Sequence, residues 1–218
     1  MSRKNNLTFY LSKEKNYFSH VRDDIIDLIP NNPYNRILEI GCGSGETLYL
    51  LKRKNKANYV AGIDIISLEQ YKLLDKFICC DIEEKVANLP FPENFFDIII
   101  CADVLEHLID PWKVVKELKK YLKPSGYFIA SIPNIREVKT MISIFLKGDF
   151  KYTQEGILDI THLRFFCKKN IEELFLGADY KIRKITYKLP PKRNLLNKLT
   201  FGFLEEFLVI NYLVVAQK

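Results

Sequence analysis

Two rhythms of hydrophobic and polar positions alternate along this chain. Short unbroken apolar runs fall at Arg36–Ile40, Tyr59–Asp64, Lys76–Cys80, Phe95–Ala102 and Tyr127–Ile132. Between them, apolar residues recur at helical spacing over Tyr17–Ile29, which Pro30 ends, over Glu46–Lys54, and from Pro111 to about Leu122. A run such as FFDIIICA, apolar with no in-and-out alternation, predicts a strand buried on both faces. Strands that alternate with helices predict a parallel sheet with helices packed on both sides. Pro111 suits the first turn of its helix, where a missing N–H does no harm, and Lys123-Pro-Ser-Gly126 predicts a turn.

After Pro133 the rhythm loosens. Ile135–Lys147 keeps helical spacing, and Gly148–Asp159 has the composition of a surface loop. Asn170, with Glu173 three residues on, predicts the capped start of another helix. Closing strands are expected near Tyr180–Tyr187 and Phe207–Ala216. We expect one domain over residues 1–218, with a helical cap at 1–34 and a cover over the ligand crevice at 134–168.

The most specific stretch is Ile37-Leu-Glu-Ile-Gly-Cys-Gly-Ser-Gly-Glu46, a strand running through three glycines into a helix. Glycines there allow a tight turn and a close approach of ligand to backbone, as at the opening of a nucleotide-binding βαβ unit. Asp64 ends the second strand 19 residues after Gly45, where an acid accepts hydrogen bonds from ribose hydroxyls. Asp81 follows the third strand. Ligands of open α/β sheets lie beyond the carboxyl ends of the strands, so Glu39, Gly41, Asp64, Asp81 and Ala102 are expected to converge.

Composition adds limits. With 218 residues, 48% of them apolar and 28% charged, the chain can build a large core. No apolar run reaches the length of a membrane span, and MSRKNNLTFYLSKEKN lacks the apolar core of a signal peptide, so a cytoplasmic protein is expected. Five cysteines without a CxxC pair argue against a disulfide framework or zinc knuckle and read as buried free thiols. The net charge of +6 is uneven. Seven basic residues (Lys181, Arg183, Lys184, Lys188, Lys192, Arg193, Lys198) and no acid lie between Tyr180 and Leu204. They could meet an anionic substrate or a membrane surface; the favoured reading is a solvated face with a flexible loop around Pro190 and Pro191.

Taken together these motifs resemble class I S-adenosylmethionine-dependent methyltransferases. Glu39-Ile-Gly-Cys-Gly-Ser-Gly45 resembles that family's first motif and Gly62-Ile-Asp-Ile65 its second. Cys80-Asp-Ile82 resembles the third, and Phe96-Asp-Ile-Ile-Ile-Cys-Ala-Asp-Val-Leu-Glu-His107 the fourth. Leu122-Lys-Pro-Ser-Gly-Tyr127 resembles the turn before the fifth strand. The resemblance implies a Rossmann-like sheet of seven strands, mostly parallel, with the last antiparallel. It implies that Glu39 and the turn of Gly41, Cys42, Gly43 and Gly45 hold the methionine portion of the cofactor. Asp64, with Ile65 beside it, would bind the ribose, Asp81 and Ile82 would flank the adenine, and Cys101 and Ala102 would lie near the methionine end. Thr161-His-Leu-Arg-Phe-Phe166 and the N-terminal Tyr17-Phe18…Arg22-Asp23 are similar to members of polysaccharide and other small-molecule pathways. A weaker resemblance runs to ubiquinone-pathway O-methyltransferases.

The expected reaction is methyl transfer to an oxygen of a small molecule, with a sugar or glycan intermediate as first choice. An oxygen acceptor needs a base, and imidazole is the natural one near neutral pH, so His107 and His162 are the catalytic candidates. His20 reads as a surface or cap residue. Asp103, Glu106, His107 and His162 form a lesser alternative as a divalent-metal site, since related methyltransferases with Glu-x-x-Glu-His at this point bind such an ion; here the first position is Asp. Arg164 could pair with a carboxylate of cofactor or substrate, or with an acid in the cover. Phe165 and Phe166 read as core, and Trp112 as packed on the sheet. DNA is not expected as a partner. An RNA acceptor, disfavoured by the modest charge, and a non-catalytic cofactor-binding partner are the other classes.

Overall fold

The computed structural model describes residues 21–67 and 73–218. The N-terminal part of the expected first helix, Tyr17–His20, and His20 itself lie outside the described residues; within them a short α1 spans Asp23–Ile26. β1 (Arg36–Ile40) leads into α2 (Glu46–Arg53), β2 (Tyr59–Asp64) and β3 (Lys76–Cys79). There follow α3 (Ile82–Lys85), β4 (Phe96–Ala102), a 3-10 turn (Leu105–His107), α4 (Pro111–Leu118), β5 (Leu122–Pro133), α5 (Val138–Phe145) and α6 (Lys168–Leu176). β6 (Lys181–Thr186), α7 (Pro191–Leu199), α8 (Glu205–Leu208) and β7 (Asn211–Gln217) complete the chain.

All seven strands form one sheet in the order β3-β2-β1-β4-β5-β7-β6. β7 is antiparallel to both β5 and β6, while the remaining neighbours pair in parallel. The expected Rossmann-like architecture, with the last strand antiparallel, is therefore present. Period-two geometry sorts the apolar runs onto two cores. Leu38, Ile40, Ile99 and Cys101 face α4 and α6 through Val114, Leu118 and Phe175. Ile37, Ile98 and Ile100 face α1 and α2 through Ile25, Leu48 and Leu51.

The first half of the chain matches its hydrophobic pattern within a few residues, and the departures have local causes. The expected turn at Lys123–Gly126 is absorbed into β5 as an irregularity. Leu122 pairs with Phe96, and pairing resumes only at Tyr127 opposite Ile98. Asp97 holds the gap, accepting from Arg36 N–H at 2.9 Å and from Lys123 Nζ at 2.7 Å. Ser125 lies at φ 65°. The helix predicted to start behind Asn170 starts at Lys168, with Cys167 at its N-cap. Asn170 instead reaches Glu173 across the first turn at 3.2 Å. Trp112 is half exposed rather than packed on the sheet, and the Arg164 guanidinium lies 5.8 Å over its ring. Cys42 and Cys101 are buried thiols as expected, but Cys79 is exposed.

The larger correction concerns the basic segment. Pro190 closes a short loop after β6 as expected, but Pro191 opens α7, with its fixed φ at the first position. This helix escapes a pattern reading because its polarity is inverted. Arg193, Asn197 and Thr200 are its half-buried positions, and Leu195, Leu196 and Leu199 are exposed. No helix among the described residues is long and apolar enough to cross a membrane.

Candidate cofactor and active site

β1 brings Glu39 to the carboxyl edge of the sheet, where the glycine turn reverses the chain. Gly41, Gly43 and Gly45 all adopt the left-handed region, at φ 70°, 53° and 81°. At Gly41 a Cβ would also collide with the Val104 side chain. Gly41 N–H donates to Ile63 O at 2.8 Å and Gly45 N–H to Cys42 O at 2.8 Å. Gly45 is the N-cap of α2 and supplies no side-chain cap, so the helix presents its first amide N–H groups toward the turn.

Asp64, buried at the end of β2, fastens this turn. Its Oδ2 accepts from Gly43 N–H at 2.8 Å and its Oδ1 from Ile66 N–H at 2.9 Å. Burial raises its pKa, and the backbone N–H groups partly offset the rise. Glu39 is buried too, and its Oε2 has no hydrogen-bond partner. Desolvation pushes its pKa up to about 8; nearby Arg22 lowers it and Asp64 raises it. A buried carboxylate with an orphaned oxygen, beside a turn held open by glycine, fits a ligand that brings a cation and hydrogen-bond donors.

The remaining cofactor candidates divide. Ile65 is exposed beside Asp64, and Ile82 is buried in α3. Asp81 caps α3, accepting from Glu83 N–H at 2.9 Å. Cys42 packs under the turn so closely that a Cβ at Gly62 would lie 2.5 Å from its sulfur. The Cys101 side chain is fully buried in the core that faces α4 and α6, and Ala102 beside it is half-buried.

Arg22, which no motif in the sequence marks for a role, sits beside the turn, its backbone N–H donating to Thr47 Oγ1 at 3.2 Å. Its guanidinium pairs with Asp24 at 2.8 Å and with Asp103, and it lies close enough to Glu39 to bias its charge. The one available signal was that Arg22 belongs to the N-terminal stretch carrying the family resemblance. Asp103, at φ 55°, is committed to that network: its Oδ1 accepts from Ser131 Oγ at 2.7 Å and from Asn211 Nδ2 at 2.8 Å. This takes Asp103 out of the metal-ligand set suggested by spacing.

The other three members of that set do come together. Ligand atoms of Glu106, His107 and His162 lie within 4.8 Å of one another. The two imidazoles pack edge to face with centroids 4.6 Å apart. His107 Nδ1 meets Thr161 O at 3.1 Å and His162 Nδ1 meets Ile157 O at 2.9 Å. A carbonyl can only accept, so Nδ1 carries the hydrogen and the basic lone pair of each neutral ring is on Nε2. Glu106 is 1% exposed, neither carboxylate oxygen has a hydrogen-bond partner, and His162 Nε2 is 4.0 Å from Oε1. Burial, with Asp103 nearby, pushes the Glu106 pKa well up.

Backbone bonds clamp the cover onto this cluster. Leu163 and Arg164 N–H groups both donate to Glu106 O, at 2.8 and 2.9 Å. Asp159 Oδ1 accepts from Thr161 N–H at 2.9 Å and from Thr161 Oγ1 at 2.7 Å. Arg164 makes no ion pair with an acid of the cover among the described residues; its guanidinium donates to the carbonyls of Ile109 and Leu163. Phe166 is core, as expected, whereas Phe165 is half-buried against Phe150.

A mostly parallel sheet of this strand order, with a glycine turn after β1 and acids ending β1 and β2, defines a Rossmann-like ligand-binding domain. A family model described as a methyltransferase domain matches residues 13–185, and the chain belongs to that family. Among its relatives, 27-O-demethylrifamycin SV methyltransferase of Amycolatopsis mediterranei is 27% identical over 50% of this chain and 42% of that protein. A tRNA U34 carboxymethyltransferase of Nautilia profundicola is 34% identical over 51% and 38%. The ubiquinone biosynthesis O-methyltransferase of Neisseria meningitidis is 27% identical over 64% and 61%. The chain thus spans about half the length of the curated relatives it matches. In fold it is similar to a SAM-dependent methyltransferase from Archaeoglobus fulgidus, with a TM-score of 0.67 at 16% identity over the whole of both chains.

Proposed function

We propose that this protein transfers a methyl group from S-adenosylmethionine to an oxygen of a small molecule in the cytoplasm, with a sugar or glycan intermediate as the acceptor. The observation that carries the cofactor assignment is the orphaned, buried carboxylate of Glu39 beside the left-handed glycine turn. The cofactor supplies a methyl group on a positively charged sulfur. This chain's residues hold it: Glu39 offers a negative partner, Gly41–Gly45 backbone approaches closely, and Asp64 offers carboxylate lone pairs to ribose hydroxyls. Relatives named as O-methyltransferases support oxygen as the accepting atom.

Positioning supplies much of the rate in such a transfer, and His107 or His162 takes the acceptor's proton at Nε2. Each His→Ala variant should lose about two or more orders of magnitude in turnover while binding the cofactor normally by calorimetry. Normal turnover in both variants rules out an imidazole base.

A second reading rests on the Glu106–His107–His162 cluster, whose paired nitrogens and buried carboxylate suit a divalent ion. On that reading Glu106, His107 and His162 would hold the ion, which would supply a positive centre for the acceptor's oxygens, and Zn²⁺ or Mn²⁺ should raise the melting temperature of the wild type but not of His162→Ala. Full turnover after exhaustive chelation excludes it. The acceptor is tested by turnover with nucleotide sugars against transfer RNA, the substrate class of one relative.

A further inference from the structure

α7 is inside out. Its inward positions are polar: Arg193 donates to Leu208 O at 2.8 Å and pairs with Glu137, the residue that caps α5. Its outward face carries Leu195, Leu196 and Leu199, and it has no buried residue along its length. The chain then turns through Phe201, 98% exposed, and Phe203, 87% exposed. This turn is ordered. Thr200 Oγ1 donates back to Leu196 O at 3.0 Å, and the N–H groups of Phe201, Gly202 and Phe203 donate to Lys198, Asn197 and Thr200 carbonyls at 2.9–3.1 Å.

Phe201 sits at φ 51°, a conformation that disfavours a bulky side chain. Strain of this kind persists where the surroundings hold it, and here it holds a phenyl ring in water. Burial against the other described residues explains none of these apolar side chains. Five of them on one short segment exceed the scattered exposure normal for a soluble surface.

The charges beside them choose among occupants. Tyr180–Leu204 contains seven basic residues and no acid. Lys192 and Lys198 flank the leucines and make no ion pair among the described residues, whereas Lys188 is taken by Asp27 at 3.2 Å. Exposed leucine and phenylalanine framed by lysine is the pattern of a segment lying in the interface of an anionic bilayer. A protein partner of the same kind would place these lysines against apolar surface; lipid phosphates meet them directly.

We propose that α7 and the Thr200–Phe203 turn dock this protein on anionic membrane surfaces, with Phe201 and Phe203 as the inserted wedge and Lys192 and Lys198 on the headgroups. The topology gives this docking a direction. β6 runs parallel to β5, so α7 leaves β6 at the edge where β1, β4 and β5 end, and Asn211 opens β7 there in contact with Asp103. The bilayer would meet the molecule at the edge that holds the crevice. The docking surface does not depend on the methyl-transfer reading.

The test is sedimentation of the full chain with vesicles of phosphatidylcholine containing about one-third phosphatidylglycerol, against phosphatidylcholine alone. Wild type should partition onto the anionic vesicles, with about a fivefold loss for each of Lys192→Gln and Lys198→Gln. Phe201→Ser with Phe203→Ser should lose on the order of a hundredfold. These side chains are solvent-exposed, so the variant should keep the wild-type melting temperature and cofactor affinity. Leu176→Ser, at an exposed leucine on α6, should bind as wild type does. Absence of binding to anionic vesicles, or equal binding by the double variant, overturns the proposal. So does a dimer in sedimentation velocity that the double variant converts to monomer without any vesicle binding in the wild type, because the face then serves a second copy of this chain.

Discussion

Glu39 shows how one buried carboxylate can join stability to ligand binding. Its pKa in the fold is about 8 against an ordinary value of 4.5. The folded chain therefore holds a proton that the unfolded chain releases between those values. The stability this confers is complete below about pH 4.5 and is lost as the pH rises toward 8. Thermal denaturation across that window should show Glu39→Gln losing less stability than the wild type; parallel curves would mean that Glu39 is ionised in the fold. A cationic ligand reverses the preference, so cofactor binding near neutral pH should release about one proton. Calorimetry in buffers of different ionisation enthalpy reads that number directly. Glu39, Gly41 and Asp64 were all legible in the sequence, because backbone reversal and acids at strand ends leave signatures in residue type. Arg22 was not, since its partners Asp24 and Asp103 are chosen by folding, with Asp103 81 residues away.

Elements divide along the same line. β1, β2 and β4 were readable within about a residue because burial on both faces leaves few polar positions to confuse the pattern, whereas β5 begins five residues and β7 four residues away from the expected start. The cover was harder, since it is held by backbone and amide contacts. Asn134, buried at the end of β5, donates from Nδ2 to Glu206 O at 2.7 Å and to Val209 O at 2.9 Å, fastening α8 to the sheet. Asn134→Ala leaves those carbonyls without a donor and should cost about 1–3 kcal/mol in chemical denaturation. Asn134→Asp should be no better, because a carboxylate cannot donate to either carbonyl. α7 was hidden for the opposite reason: a pattern rule assumes that leucines point inward, and here they point out.

For the whole molecule, the two cores on either side of β1, β4 and β5 carry the cooperative unit. Amides of those strands should exchange only on global unfolding, and amides of α7, which packs no buried side chain, should exchange through local opening with much lower protection. Mass-spectrometric hydrogen exchange distinguishes the two, and equal protection would place α7 in the cooperative core. The sequence showed this scale clearly in its first half, where each strand and the next helix alternate. It showed less after Pro133, where residues 134–168 are held by contacts between distant backbone groups such as Leu163 N–H to Glu106 O.

β7 lies between β5 and β6, although it is the last strand in the chain. During synthesis, β1 to β5 can assemble as each emerges, but β6 has no neighbour to pair with until Asn211–Gln217 has left the ribosome. Until β7 is in place the sheet therefore exposes β5 as a second open edge besides β3, and β6 stays unpaired. The sheet closes only when β7 docks, and until then the β5 edge is the place where unwanted strand pairing must be prevented.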